Sequence, residues 1–282
     1  MITNTKYLCH ILKADLNSLQ DIIENIEEYY ITWEKDKIDK TTNQAIIIDN
    51  KKQTRPINST KKELKLIQKR IFKFLINHTT IPTYAFGGVS KKDNVINAKT
   101  HQGNKYIFTT DLKSFFPSIS HSKVFNLYLE LGCTPTVSKI LTQLTTYKYQ
   151  LPQGVPTSTI LANLIFKSTG DKIQNYCAEN NIKFTTFVDD ITLSSKIDFK
   201  DKLPEIIRII TEDGYRISHK KTFYKTKNPV ITGVICQNNR LKLDNSFHKR
   251  LSKIKETDLI DLKLKESKIN GYKRYIKRVK YI

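Results

Sequence analysis

Two adjacent carboxylates, Asp189 and Asp190, interrupt an otherwise apolar and β-branched stretch, with Lys183 to Val188 on one side and Ile191 to Ser195 on the other. Each flank has the composition of a short strand, so the pair falls at the turn of a hairpin. An Asp-Asp turn alone is ordinary, because aspartate favours turns through local hydrogen bonds. Here the pair sits at the edge of strands that must be buried, where two negative charges need a partner. A divalent cation is a suitable one. A third carboxylate, Asp111, ends the strand-like segment that begins at Tyr106 and can lie beside the hairpin in one sheet. By itself Asp111 reads as a strand-ending residue that caps the next turn. Together, three converging carboxylates can hold two Mg²⁺ about 4 Å apart, with Mn²⁺ an acceptable substitute. Such a pair lowers the pKa of an attacking hydroxyl and stabilises a leaving pyrophosphate, which is the chemistry of nucleotidyl transfer.

The rest of the composition points to the substrate. The 282 residues carry 48 Lys and Arg against 27 Asp and Glu, a formal charge of +21 that a compact chain tolerates best against a polyanion. Nucleic acid is the obvious one. There is neither an apolar run of membrane-spanning length nor a signal-peptide pattern, so a cytoplasmic protein with no membrane partner is expected. Cys9, Cys133, Cys177 and Cys236 lie far apart, without the paired spacing of a zinc site or disulfide framework, and read as reduced core thiols. The six histidines are equally scattered, so any metal is held by oxygen.

The elements that must position the carboxylates follow from periodicity. Tyr7 to Ile38 and Lys61 to Ile76 carry apolar residues at helical spacing, and Ala45 to Ile48 followed by Asp-Asn-Lys-Lys reads as a hairpin with a basic tip. Past Asp111, Ser120 or Ser122 caps a helix that runs to Leu131 and ends at Gly132. Pro135 opens a second helix, and a longer one begins near Thr157 and Ser158 after a Gly- and Pro-rich loop. Leu203 to Glu212 is a further helix. From Asp244 to Ile282 there are 12 Lys and Arg against 5 Asp and Glu, with no acid after Glu266. This reads as a small basic helical segment or, more blandly, a solvated helix face. Tyr272, Tyr275 and Tyr281, interleaved with Lys273, Arg274, Lys277, Arg278 and Lys280, favour nucleic-acid contact by charge and stacking.

Four stretches make the chemistry specific. Asp111-Leu-Lys-Ser-Phe-Phe-Pro-Ser-Ile119 resembles the first polymerase motif of retron and group II intron reverse transcriptases. Leu151-Pro-Gln-Gly-Val-Pro-Thr-Ser158 resembles their second, and Phe187-Val-Asp-Asp190 their Tyr-Ala-Asp-Asp box, with Phe for Tyr and Val for Ala. Gly214 to Thr222 is similar to the fourth, with Ser218 where Asn is more usual. The resemblance covers roughly Arg55 to Val234. It implies an α+β, right-hand polymerase fold: fingers over 1–105, a ferredoxin-like antiparallel palm over 106–243 with inserted fingers helices at about 120–148, and a short basic thumb over 244–282.

The same resemblance implies residue roles. Asp111 and Asp189 are the metal ligands, assisted by the Leu112 carbonyl, while Asp190 supports the site near the primer terminus. Phe116 falls where the family keeps a ring that excludes a ribose 2′-hydroxyl, although either Phe115 or Phe116 also suits the core. Gln153 and Gly154 approach the incoming dNTP, Arg55 clamps its triphosphate, and Lys51 or Lys52 shares that duty. Lys221 matches the lysine that protonates pyrophosphate.

Two further elements resemble those of retron enzymes, Asn97-Ala-Lys-Thr-His101 and Ile231-Thr232-Gly233, which in that family are associated with recognition of the retron's own RNA. Asn97 and His101 also suit a loop that caps its own backbone. The resemblance implies as partners a cognate noncoding RNA that is both template and primer, its msDNA product, dNTPs, a separate effector protein in antiphage defence, and higher-order assembly. Non-retron bacterial reverse transcriptases and a catalytically silent RNA-binding scaffold are the alternatives.

Overall fold

The computed structural model describes residues 2–38, 44–243, 247–248, 251–252 and 262–282. Two short helices, α1 (Thr5–Leu12) and α2 (Leu16–Glu24), open the chain. The side chains of Asn4 and Asp15 start them, accepting the Tyr7 and Ser18 amides at 2.8 Å. The helix expected to continue to Ile38 ends there. Tyr30–Asp36 is instead strand β1, followed by the hairpin β2 (Ile47–Ile48) and β3 (Lys51–Lys52) and by β4 (Thr54–Thr60), which pairs antiparallel with β1 over its whole length. The expected hairpin is present, but its tip is Asp49 and Asn50, both at positive φ, while Lys51 and Lys52 lie beside it on β3.

Helix α3 (Lys62–His78) buries Leu64, Ile67, Ile71 and Leu75 along one stripe, and α4 (Asn94–Thr100) is a short helix capped by Asp93. Strand β5 (Tyr106–Asp111) leads through α5 (Phe115–Ser118) to α6 (His121–Glu130), whose first turn is capped by Ser120. Gly132, at φ 80°, reverses the chain into α7 (Pro135–Thr145). After the Gln153-Gly154 loop comes α8 (Ser158–Glu179), the longest described helix. Strands β6 (Lys183–Phe187) and β7 (Asp190–Ser195), helix α9 (Leu203–Glu212) and β8 (Phe223–Lys225) follow. Then β9 (Val230–Ile231), β10 (Val234–Cys236) and β11 (Leu241–Leu243) form a separate three-stranded sheet, and α10 (Leu262–Tyr281) closes the chain. The expected start of the basic segment at Asp244 lies outside the described residues, as does much of that segment before α10.

The architecture is α+β with antiparallel sheets. The central sheet runs β6-β7-β5-β8. Phe115, Phe166 and Tyr215 meet beneath it with ring centroids 5.2–5.8 Å apart, joining the turn after Asp111 to α8. A second, smaller core gathers Val95 and Ala98 of α4, Ile107, Ile231, Val234 and Val279, so α4 and the β9–β11 sheet share one apolar seam with α10. Cys133, Cys177 and Cys236 are buried free thiols and Cys9 is half-buried. Among the described residues, no helix is long and apolar enough to cross a membrane.

Candidate active site

Register brings the three carboxylates to one end of the central sheet. Asp111, last in β5, is paired directly with Asp190, first in β7, and Asp190 is in turn paired with Phe187. Residues directly opposite on adjacent strands share a face, with Cβ atoms about 5 Å apart. The two turn residues are therefore Val188 and Asp189, a one-residue displacement from the Asp-Asp turn expected from the sequence. The Leu112 amide donates to the Asp189 carbonyl at 2.9 Å, which ties the turn to the end of β5.

Val188 sits at φ 61°, a left-handed conformation that strains a β-branched residue by about 1–3 kcal/mol. The neighbouring backbone holds it there. Tyr84 to Phe86 runs beside β6, exchanging 2.8 Å bonds with Thr186 through the Phe86 amide and the Tyr84 carbonyl. Next to it, Gly87 is pressed on the turn so closely that a Cβ would fall 2.5 Å from Val188 Cγ2 and 2.6 Å from its nitrogen. The buried Asn163 side chain of α8 donates to the Gly87 carbonyl at 3.0 Å. These supporting residues are absent from the sequence reading. The one available signal was the Gly87-Gly88 pair, which marks a close backbone approach.

The site is electrostatically loaded. Burial, then the charges of Asp190 and Asp111, push the Asp189 carboxyl up to about 6. Lys221 opposes this, and its Nζ lies 2.8 Å from Asp111 Oδ1. Lys221 is positioned by the segment from Gly214 to Thr222, which lies against the end of β5. The Ser218 amide donates to the Asp111 carbonyl at 2.8 Å, and the Lys113 amide to the Arg216 carbonyl at 2.7 Å. The Lys221 ammonium thus touches Asp111 and offsets part of the charge felt by Asp189. An all-oxygen, net-negative donor set of this kind fits a hard divalent cation such as Mg²⁺ or Mn²⁺. Among the described residues, no three ligating side chains are already closed around a common point.

The other residues singled out in the sequence fall into three places. Phe115 is buried and Phe116, its ring centroid 5.9 Å away, is half-buried. Arg55 is exposed on β4, and β4 is fastened to the Gln153-Gly154 loop, since the Asn58 amide donates to the Gln153 carbonyl at 2.8 Å. Gly154, at φ 115°, leaves no room for a side chain, because a Cβ would stand 2.5 Å from the Asn58 carbonyl oxygen. Lys51 and Lys52 are exposed on β3, with Lys52 Nζ 3.9 Å from Asp36. On β1, Trp33 pairs with Ile57 and Lys35 with Arg55, which puts a half-exposed tryptophan on the Arg55 face of the ribbon. The helical spacing of apolar residues from Tyr7 to Ile38 hides this strand, and with it the place of the tryptophan.

Asn97 and His101 are fully buried. His101 is bonded at 2.7 Å through Nδ1 to Ser194 Oγ and through Nε2 to Thr185 Oγ1, and burial depresses its pKa to about 3, so the ring is neutral. Thr232 and Gly233 form the β9–β10 turn, and Asn97 Nδ2 reaches Thr232 Oγ1 at 3.4 Å. Lys273, Arg274, Lys277 and Arg278 are exposed on α10, and Arg278 pairs with Asp93 at 2.7 Å.

Similarity to known proteins places the chain in a family. The family model described as reverse transcriptase (RNA-dependent DNA polymerase) matches residues 34–236. The retron Ec86 reverse transcriptase of Escherichia coli is 30% identical over 207 residues, covering 71% of this chain and 64% of that one. The retron Se72 enzyme of Salmonella heidelberg is 30% identical over 210 residues, covering 73% and 55%. The retron Ec48 enzyme of Escherichia coli is 30% identical over 247 residues, covering 81% and 58%. The match thus spans less than two thirds of each of these relatives.

Proposed function

Since the chain belongs to the reverse transcriptase family, we propose that it is the RNA-directed DNA polymerase of a retron, copying part of a cognate structured RNA into RNA-linked single-stranded DNA. The observation that carries this reading is the register of Asp111 against Asp190 with Asp189 on the adjoining turn, faced by Lys221. In this reading residues 106–243 are the palm, residues 1–105 with the helices at about 120–148 are the fingers, and residues 244–282 are the thumb.

Two Mg²⁺ or Mn²⁺ held by Asp111, Asp189 and the Leu112 carbonyl, with Asp190 beside them, would activate the attacking hydroxyl and neutralise the leaving pyrophosphate. The protein's own residues do the rest. Gln153 and Gly154 let the nucleotide approach the backbone, and the absence of a Cβ at Gly154 lets their loop pack directly on β4, which carries Arg55. Arg55 neutralises triphosphate charge, with Lys51 assisting. Phe116 excludes the 2′-hydroxyl, which selects dNTPs over ribonucleotides. Lys221 holds a proton within 2.8 Å of Asp111 and can pass it to the leaving group. Lys273, Arg274 and Lys277 on the exposed face of α10 meet RNA phosphates. The cognate RNA serves as primer and template, msDNA is the product, and a separate effector completes an antiphage system in the cytoplasm.

The test is to express the chain with its flanking DNA in bacteria, extract nucleic acid, and look for a discrete small DNA that resists alkali and shifts with RNase. Such a species should appear with the intact chain and vanish in an Asp189→Ala, Asp190→Ala variant. Its absence, with dNTP incorporation retained in vitro, would leave a polymerase and discard the retron assignment. Loss of both would favour a silent RNA-binding scaffold.

A further inference from the structure

We infer that α4 is a brace between the C-terminal helix and the catalytic hairpin, with Asn97 and His101 acting as positioning residues inside it and making no contact with RNA. The inference rests on the polymerase reading for its consequence, and on side-chain geometry for its content.

One end of the brace grips the hairpin. The His101 ring spans both strands that flank Asp189 and Asp190, bonded at 2.7 Å to Thr185 of β6 and at 2.7 Å to Ser194 of β7. A neutral imidazole has one donor and one acceptor nitrogen, and each hydroxyl can take either part, so both bonds are satisfied at once. Asn104 adds a 2.7 Å bond to the same Ser194 hydroxyl, and Lys183 Nζ reaches the Thr100 carbonyl at 3.1 Å. The base of the hairpin is therefore fixed to the end of α4 at four points.

The other end grips α10 and the β9–β10 turn. Asp93 pairs with Arg278 at 2.7 Å, and Asn94 Nδ2 bonds both to the Thr232 carbonyl at 3.0 Å and to the Tyr275 hydroxyl at 2.5 Å. Thr232 and Gly233, at φ 46° and 86°, make a two-residue hairpin turn with both residues left-handed, a geometry that favours Asn or Gly. A threonine is held in it by its hydroxyl, which donates to the Asn94 carbonyl at 3.2 Å and meets Asn97 Nδ2 at 3.4 Å. Val279 of α10 is buried against Val95 and Ala98 beneath these bonds.

Asn97 and His101 have no exposed surface, so RNA cannot reach them in this arrangement. What faces outward is the opposite side of α10, with Lys273, Arg274 and Lys277. RNA seated there would bear on Asp93 and Asn94, and through about two rigid turns of helix on the hairpin. The Asn-Ala-x-x-His spacing then has a mechanical reason. Positions 97 and 101 are four apart and lie on one helix face, so the first can serve the β9–β10 turn and the second the hairpin.

The experiment uses the purified full chain. The substitutions His101→Ala, His101→Gln and Asn94→Ala are compared by primer extension on an oligo(dT)-primed poly(rA) template, by anisotropy with a labelled single-stranded RNA, and by amide exchange over residues 183–195. His101→Ala should lower kcat at least about tenfold, with KM for dTTP and RNA affinity within about threefold of wild type. The Gln variant, whose amide can bond both hydroxyls, should recover most of that loss. Asn94→Ala, at the far end, should speed exchange in the hairpin by about tenfold or more. Weakened RNA affinity with intact kcat in His101→Ala would overturn the brace, as would unchanged hairpin exchange in Asn94→Ala. The exchange arm decides the matter even for a chain that incorporates no nucleotide, an outcome that would sink the polymerase reading by itself.

Discussion

Replacing Asp189 with Asn should stabilise the metal-free protein while abolishing its chemistry. The carboxyl rises from 3.8 to about 6 because burial and the charges of Asp190 and Asp111 disfavour its ionised form. A shift of about two pKa units corresponds to about 3 kcal/mol of destabilisation once the group is ionised in both states. Asn keeps the shape and removes the charge. The sign follows from proton linkage. Between the unfolded and folded pKa values the native state holds more protons, so wild-type stability falls as pH rises from about 4 to about 6 and stays reduced above that. In EDTA at pH 8 the variant should melt about 6 °C higher than wild type, at roughly 2 °C per kcal/mol for a chain of this size. The gain should fade below pH 6 and disappear below about pH 3, where Asp189 is neutral in both states. Saturating Mg²⁺ should raise the wild-type melting temperature and do far less for the variant. A variant no more stable than wild type at pH 8, or one whose advantage persists in full at pH 3, would refute the electrostatic argument.

Three further substitutions test the surrounding residues. Lys221→Ala removes the cation 2.8 Å from Asp111 and should cut turnover by about 10²-fold, with RNA affinity unchanged by anisotropy. Gly154→Ala drives a Cβ to 2.5 Å from the Asn58 carbonyl at φ 115°, so thermal melts should show a loss of about 1–3 kcal/mol and dNTP kcat/KM should fall with it. Removing Lys273, Arg274 and Lys277 together should flatten the dependence of log affinity on log salt by about 0.7 per charge for single-stranded RNA, measured by titration from low to moderate salt.

Much of this site was legible because its determinants are local. The ends of β5, α6, α7 and α9 follow from caps, prolines and β-branched runs that lie within a few residues of the boundary they set. The hairpin bearing the carboxylates was equally plain from its flanks, but its turn was misplaced by one residue. No local rule puts a valine at positive φ, and Val188 is there because Gly87, about a hundred residues earlier in the chain, leaves space for it. Strand β1 was read as helix for a similar reason: what decides its conformation is its partner β4, reached only after an intervening hairpin. Asn97 and His101 read from the sequence as RNA-recognition or loop-capping residues, and their burial is hidden because it depends on Thr185, Ser194 and Thr232, all far along the chain. Where a side chain's environment is assembled from distant segments, the sequence names the residue and leaves its surroundings to the fold.

The measurement that bears most directly on the central claim is incorporation of labelled dNTPs by the purified chain on a primed RNA template, with Mg²⁺ or Mn²⁺, beside Asp111→Asn and Asp189→Asn. The account predicts template-directed, metal-dependent DNA synthesis by the wild type and none above background by either variant. Synthesis that survives loss of either aspartate, or a folded wild-type chain that binds RNA and extends no primer, would contradict it.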